Sequence, residues 1–349
     1  MDERNERNEL LAALPKADLH IHLDGSVKPE TILALAHSRG FPLPADQADG
    51  LIPYMQVEDD CESLQAYLSK FQFVLGFMQD TEALERIAYE LVEQAAAERC
   101  IYTEVRFAPQ LHTEQGLSLD AIMDSVLAGL KRGEERFGVV ARLIVICMRH
   151  HAMPENRAAI EAAARFKDRG VAAVDLAGDE AFYPAGLFRD LFAFAHENGL
   201  PVTIHAGEAA GPANIEEAVV HLGASRIGHG VRLREDQAIL ELVKQRRIPL
   251  ELCPVSNIQT KAVAGWNDYP VLDYIRQGVR VTINTDNRTV SGTTLTREYR
   301  MLMDECGLDI GQIVLVIRCG FEAAFAEQEL KDSFVQKLAD VCREKGILL

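Results

Sequence analysis

The feature that most constrains the fold is an alternation of two kinds of segment. Short apolar runs recur at 17–23 (ADLHIHL), 101–108 (IYTEVRFA), 139–148, 171–177, 200–206, 225–230, 248–253 and 279–285. Between them lie segments with apolar residues at helical spacing: one opened by Pro29-Glu30, then 81–99, 118–137, 186–197, 214–222 and 235–246. Gly170, Gly199, Gly223 and Gly278 stand where helices stop, each just ahead of the next run. Eight strands, each followed by helix, predict an α/β chain folded as a (β/α)8 TIM barrel with extra helices. A doubly wound sheet is the alternative. It calls for a phosphate-cradling GxGxxG after a strand, and GHGVRL (228–233) has the wrong spacing. No repeat, low-complexity tract or linker divides the chain. The expectation is one barrel domain over residues 1–349, with residues 1–10 a flexible arm.

A barrel of this kind carries its chemistry at the C-terminal ends of the strands. Seven of the eight runs end at or run into the following residues: His20 and His22, then Glu104 and Arg106, Gly178 to Glu180, His205 with Glu208 beyond it, His229, Cys253 to Asn257, and Asp286. In an extended strand His20 and His22 face the same way, so both imidazoles look into the barrel mouth. Two imidazoles aimed at one point favour a divalent transition metal. His205 offers a third nitrogen and Asp286 an oxygen, a thiolate-free set that suits a catalytic zinc. Glu208, three residues after His205, is placed to act as a general acid or base beside that metal. His229, between Gly228 and Gly230, is a candidate for orienting water. His37, His112, His196 and His221 read as structural, and at most one of the adjacent His150 and His151 can join the site.

Composition removes other classes. The formal net charge of −17 repels phosphate backbones, so nucleic acid is excluded as the main ligand. No apolar run is long enough to span a bilayer, and the charged start MDERNERNEL is unlike a signal peptide. The seven cysteines contain no CxxC pair, against a disulfide framework or thiolate zinc site. A cytoplasmic enzyme with a small-molecule substrate remains; nothing in the sequence fixes its oligomeric state.

PKADLHIHLDGS, EVRFAP, DLAGDE, HAGEAAGP, RIGHGVRL, LCPVSNIQT and NTDN occur in the order and context of the adenosine deaminase family of the amidohydrolase superfamily, which the chain resembles from Leu14 to beyond Tyr299. The resemblance implies one Zn²⁺ per chain on His20, His22, His205 and Asp286, with His22 facing the substrate as well. It implies Glu208 as the proton donor to purine N1, His229 as the group that positions the attacking water, and Asp286 as acceptor of that water's proton. Asp24 is expected to contact the ribose, and the backbone of Gly178 the purine. In animal-type members a second aspartate follows the zinc aspartate and donates to purine N7. Here Asn287 follows, and its NH₂ donates without needing a raised pKa.

The activity implied is hydrolysis of adenosine or 2′-deoxyadenosine to inosine or deoxyinosine and ammonia, in purine salvage. Alternatives are deamination of adenine or of aminodeoxyfutalosine. Adenine deaminases resemble this chain but tend to carry glutamate where Asp24 stands, and the shorter side chain leaves room for a sugar. AMP needs basic residues at the pocket mouth, for which Arg288 is a candidate. Strand four has no lysine of the kind that bridges two metals, which favours one. A different class, a catalytically inactive nucleoside-binding relative, would lack a ligand or Glu208, and this chain has them all.

Overall fold

The computed structural model describes residues 3–58, 61 and 64–347. All eight expected strands form: β1 (Lys16–His22), β2 (Cys100–Phe107), β3 (Val140–Met148), β4 (Val171–Ala177), β5 (Thr203–Ala206), β6 (Arg226–His229), β7 (Leu250–Leu252) and β8 (Val281–Ile283). They pair in parallel in the orders β1-β2-β3-β4 and β5-β6-β7-β8. Single parallel bridges, Val174 to Val202 and Ile21 to Asp286, join the two sheets at both seams. His22 N–H donates to Asp286 C=O at 2.7 Å, and Asp286 N–H to His20 C=O at 2.8 Å. The ring therefore closes as a barrel, and parallel pairing gathers every C-terminal strand end on one rim.

Each strand is buried on both faces, because helices cover the outside while side chains fill the inside. On β1 the two faces separate cleanly. Ala17 lies against Gly320 of the helix Ile310–Ala323 outside, whereas Asp18 bonds Thr285 and His20 bonds Glu251 within. The interior is unusually polar for such a barrel, where branched aliphatic residues dominate. Here Asp18, Glu104, Arg106, Asp175, Arg226 and Glu251 are all buried. Buried charges persist only when paired, and the pairing here underlies the site.

Two expectations meet a different structure. Glu104 and Arg106, read from sequence as rim residues, are not at the mouth. Glu104 pairs with Arg226 and accepts the N–H of Phe325, so it belongs to the barrel floor. Arg106 lies beneath the rim, between two carboxylates. Residues Glu3–Ala13 form a helix over much of the stretch read as a flexible arm, because Leu11 at its end is buried in the core. The segment between β1 and β2 brings helices Pro29–Arg39, Leu64–Leu75 and Thr81–Ala97. From the second of these, Tyr67 reaches Ser291 and Asn287, beyond β8. Among the described residues no helix is long and apolar enough to cross a membrane.

Candidate active site

His20 and His22 leave the end of β1, His205 comes from β5 and His229 ends β6. Their rings converge: centroids are 4.5 Å apart for His20 and His205, 5.4 Å for His20 and His22, and 5.4 Å for His22 and His205. Asp286, just after β8, puts Oδ1 3.3 Å from His22 Nε2 and 3.6 Å from His20 Nε2. A tetrahedral centre with bonds of about 2.0–2.1 Å separates its ligand atoms by about 3.3–3.4 Å. His20 Nε2 is buried with no hydrogen-bond partner among the described residues, an arrangement costly unless something else takes its lone pair. The donors thus fit one zinc-sized cation. Asp286 and His229 hold left-handed backbone, φ +58° and +62°, a strain typical of sites where side-chain aim outweighs local comfort.

Carboxylates inside the barrel set the aim of these rings. His20 Nδ1 meets Glu251 Oε2 at 2.8 Å, and His205 Nδ1 meets Asp175 Oδ2 at 2.9 Å. Each carboxylate accepts, so each Nδ1 carries the proton and each Nε2 lone pair turns to the centre. Arg106 links the two supports, donating to Asp175 from Nη1 and to Glu251 from Nη2, both at 2.8 Å, and from Nη2 to the Leu19 carbonyl at 2.6 Å. Burial also pushes the His22 and His205 pKa values down, which keeps both rings neutral and available as ligands. Gly228 is glycine because of this crowding: a Cβ there would stand 3.1 Å from His20 Cε1 and 3.2 Å from His205 Cα.

Glu208 follows on the turn after β5. Its Oε1 accepts from the Thr260 hydroxyl at 3.0 Å, and its Oε2 lies 3.5 Å from His229 Nε2. Burial, then the nearby charges of Asp286 and Glu180, push its carboxyl up to about 8. It therefore holds a proton at neutral pH. His229 is fixed through Asn257, whose Oδ1 accepts from Tyr269 Oη at 3.0 Å and the Cys253 amide at 3.3 Å. The Asn257 NH₂ is left to face His229 Nδ1 at 2.9 Å. His229 accordingly accepts at Nδ1 and carries its proton on Nε2, towards Glu208. Ser256 donates to Asp286 Oδ2 at 2.6 Å. His229 and Cys253 also come within ligand spacing of Asp286. Burial, however, raises the Cys253 thiol far above its usual range, so it offers no thiolate.

The residues expected at the substrate are placed less uniformly. Asp24 is buried just past β1, where burial raises its carboxyl to about 6. Gly178 follows β4 at φ +105°, beside Arg149 and His150; His151 turns instead towards Glu155, 3.5 Å away. Asn287 donates from Nδ2 to Tyr67 Oη at 3.0 Å, while its buried Oδ1 has no partner among the described residues. Arg288 is buried and paired with Glu98 at 2.6 Å, away from any mouth-facing phosphate role. His112 and His196 bond backbone carbonyls, as structural histidines do. Glu251 and Asp175 were missed from the sequence, although a charge inside an apolar strand, costly unless paired, is a signal that could have found them. The links of Asn257, Ser256, Thr260 and Tyr67 depend on how segments distant in sequence meet in space and left no sequence signal.

The adenosine deaminase family sequence model matches residues 15–341. The chain is 44% identical over 319 residues to an adenosine deaminase of Clostridium botulinum, covering 91% of this chain and 95% of that one. Among solved structures it is similar to an adenine deaminase from Arthrobacter aurescens, with TM-score 0.87 and 26% identity over 95% of this chain and 99% of that one. It is also similar to an N6-methyl-AMP deaminase from Arabidopsis thaliana, with TM-score 0.84 and 26% identity over 97% and 99% of the two chains.

Proposed function

The chain belongs to the adenosine deaminase family, and on that premise we propose that it hydrolyses adenosine and 2′-deoxyadenosine to inosine and deoxyinosine with release of ammonia, as a purine salvage enzyme. The carrying observation is Glu208: a carboxyl 13% exposed and raised to about 8, beside a convergent set of three imidazoles and a carboxylate. That pairing suits addition of water to an electron-poor ring carbon whose neighbouring nitrogen must be protonated.

His20, His22, His205 and Asp286 would hold one zinc ion. When bound, zinc supplies hydroxide at neutral pH by lowering the pKa of water. Glu208 gives its proton to N1 and draws electron density from C6, which the oxygen then attacks. Asp286 accepts the proton lost by the attacking water and returns it to the leaving NH₂, so ammonia departs. The hydroxyl proton left on C6 restores Glu208 as C6 becomes a carbonyl. His229, with its proton on Nε2, donates to the oxygen as charge develops.

Asp24 is assigned to the ribose, and Gly178 and Asn287 to the purine edge. Its shorter side chain at position 24, and the sealing of Arg288 against Glu98, favour a nucleoside over a free base or a nucleotide. No disulfide joins the seven cysteines among the described residues, which suits the cytoplasm.

Glu208→Gln keeps shape without a deliverable proton. Turnover of adenosine should fall by about 10² or more with zinc retained; near-full activity would remove Glu208 as the acid.

A further inference from the structure

Glu180 has no part in the reaction just described, yet it makes the densest set of backbone contacts near the site. It is 3% exposed. Its Oε1 accepts the Gly207 N–H at 2.7 Å, and its Oε2 accepts those of Glu208, Ala209 and Ala210 at 3.0 Å each. Four consecutive amides thus form a cup of positive partial charge around one carboxylate.

On the acceptor side this turn is tied to the next strand. Gly230 N–H bonds the Ala206 carbonyl at 3.1 Å, and Arg232 N–H the Gly207 carbonyl at 3.0 Å. On the donor side the turn is held by Glu180. Burial leaves the Glu180 carboxyl raised on balance, against the downward pull of the Gly207, Ala210 and Glu208 amides and of Arg149. One donor on Oε1 and three on Oε2 suit a carboxylate, which offers only acceptors. The turn is also tight: Gly207 has φ +71°, and a Cβ there would lie 2.4 Å from Ile215 Cδ1.

We propose that Glu180 is a positioning residue for Glu208: by gripping the amides of residues 207–210 it fixes the point at which the proton donor leaves the backbone, and so holds its carboxyl between Thr260 and His229. This rests on Glu208 being the proton donor. The grip is chemically specific to a carboxylate, because an amide at position 180 turns NH₂ against N–H. The charge has a second effect in the same direction, since Glu180 is one of the groups that keep Glu208 protonated.

The test is a double-mutant cycle on zinc-loaded enzyme, with Glu180→Gln, Glu208→Gln and both together. Glu180→Gln should lower kcat on adenosine about tenfold or more, with KM within about threefold and zinc content unchanged. In the Glu208→Gln background the same change should cost less than about twofold, because the group it positions no longer delivers a proton. Amide hydrogen exchange at 207–210 should quicken about tenfold or more while the amides of β5 keep their protection. Equal losses in the two backgrounds, or unchanged exchange at 207–210, would overturn the proposal. If Glu180→Gln does not fold, Glu180→Asp runs the same cycle with the charge kept and the reach shortened. Exchange reads the grip without substrate, so a wild-type enzyme inert towards adenosine would refute the functional reading and leave that readout to decide the clamp.

Discussion

Replacing Arg106 with Met removes the group that ties together the two carboxylates supporting His20 and His205, the proposed zinc ligands. Arg106, Asp175 and Glu251 have fully buried side chains. Burial opposes ionisation of Glu251, but Arg106 and Arg226 outweigh it and hold that carboxyl well below its usual range; His205 and Arg106 do the same for Asp175. Met matches Arg in bulk and supplies no charge, so both carboxylates lose a partner and the Leu19 carbonyl loses its donor. Breaking a buried pair from one side costs about 3–5 kcal/mol, a large part of a typical stability of about 5–15 kcal/mol. The same change loosens the supports of His20 and His205, and losing such a support lowers metal affinity about 10–100-fold. Urea unfolding of the metal-free protein measures the first effect, and competition with a chelator the second.

The sign with pH follows from the depressed carboxyls. Their contribution is present above the unfolded values of about 4 and is lost as pH falls through the lower folded values. The gap between wild type and Arg106→Met should be full at pH 7 and narrow in acid. Arg106→Lys should be intermediate, since one ammonium lacks the fork that spans both acids. A loss under about 0.5 kcal/mol at pH 7, with zinc affinity unchanged, is a surface-like result and would refute the bridging argument.

Three further outcomes follow from the site. His22→Ala should lower zinc occupancy measured by metal analysis after dialysis, since it removes one of the four proposed ligands; full occupancy would take His22 out of the set. Glu208 has a folded pKa raised to about 8 and acts protonated, so kcat/KM on adenosine should fall as pH rises through that region, and a rate that climbs there would contradict the acid role. Asp24→Ala should cost adenosine about 1–3 kcal/mol in kcat/KM while changing activity on adenine much less, and equal losses would remove the ribose contact.

How much of this was readable beforehand depends on where each residue lies. The strand-end histidines were, because period two in β1 sends His20 and His22 the same way whatever surrounds them. The eight strands were also readable, since each is an apolar run bounded by turn signals. Arg106 was misplaced because its position near a strand end looks the same whether the side chain rises to the rim or turns in to meet Asp175 and Glu251. The helix Met153–Arg165 and the three from Leu295 to Glu344 went unassigned. The first carries an apolar face made mostly of alanine, which gives little contrast. Asn257 and Tyr67 act through contacts 28 and 220 residues away in sequence, which local patterning does not encode.

The most direct test of the central claim is product analysis on zinc-loaded protein given adenosine in ¹⁸O-labelled water. The account predicts inosine and ammonia in equal amounts, one ¹⁸O at C6 of the inosine, loss of both products on chelation and their return on adding Zn²⁺. Adenosine left intact by the zinc-loaded protein, with adenine or another aminopurine converted in its place, would contradict it.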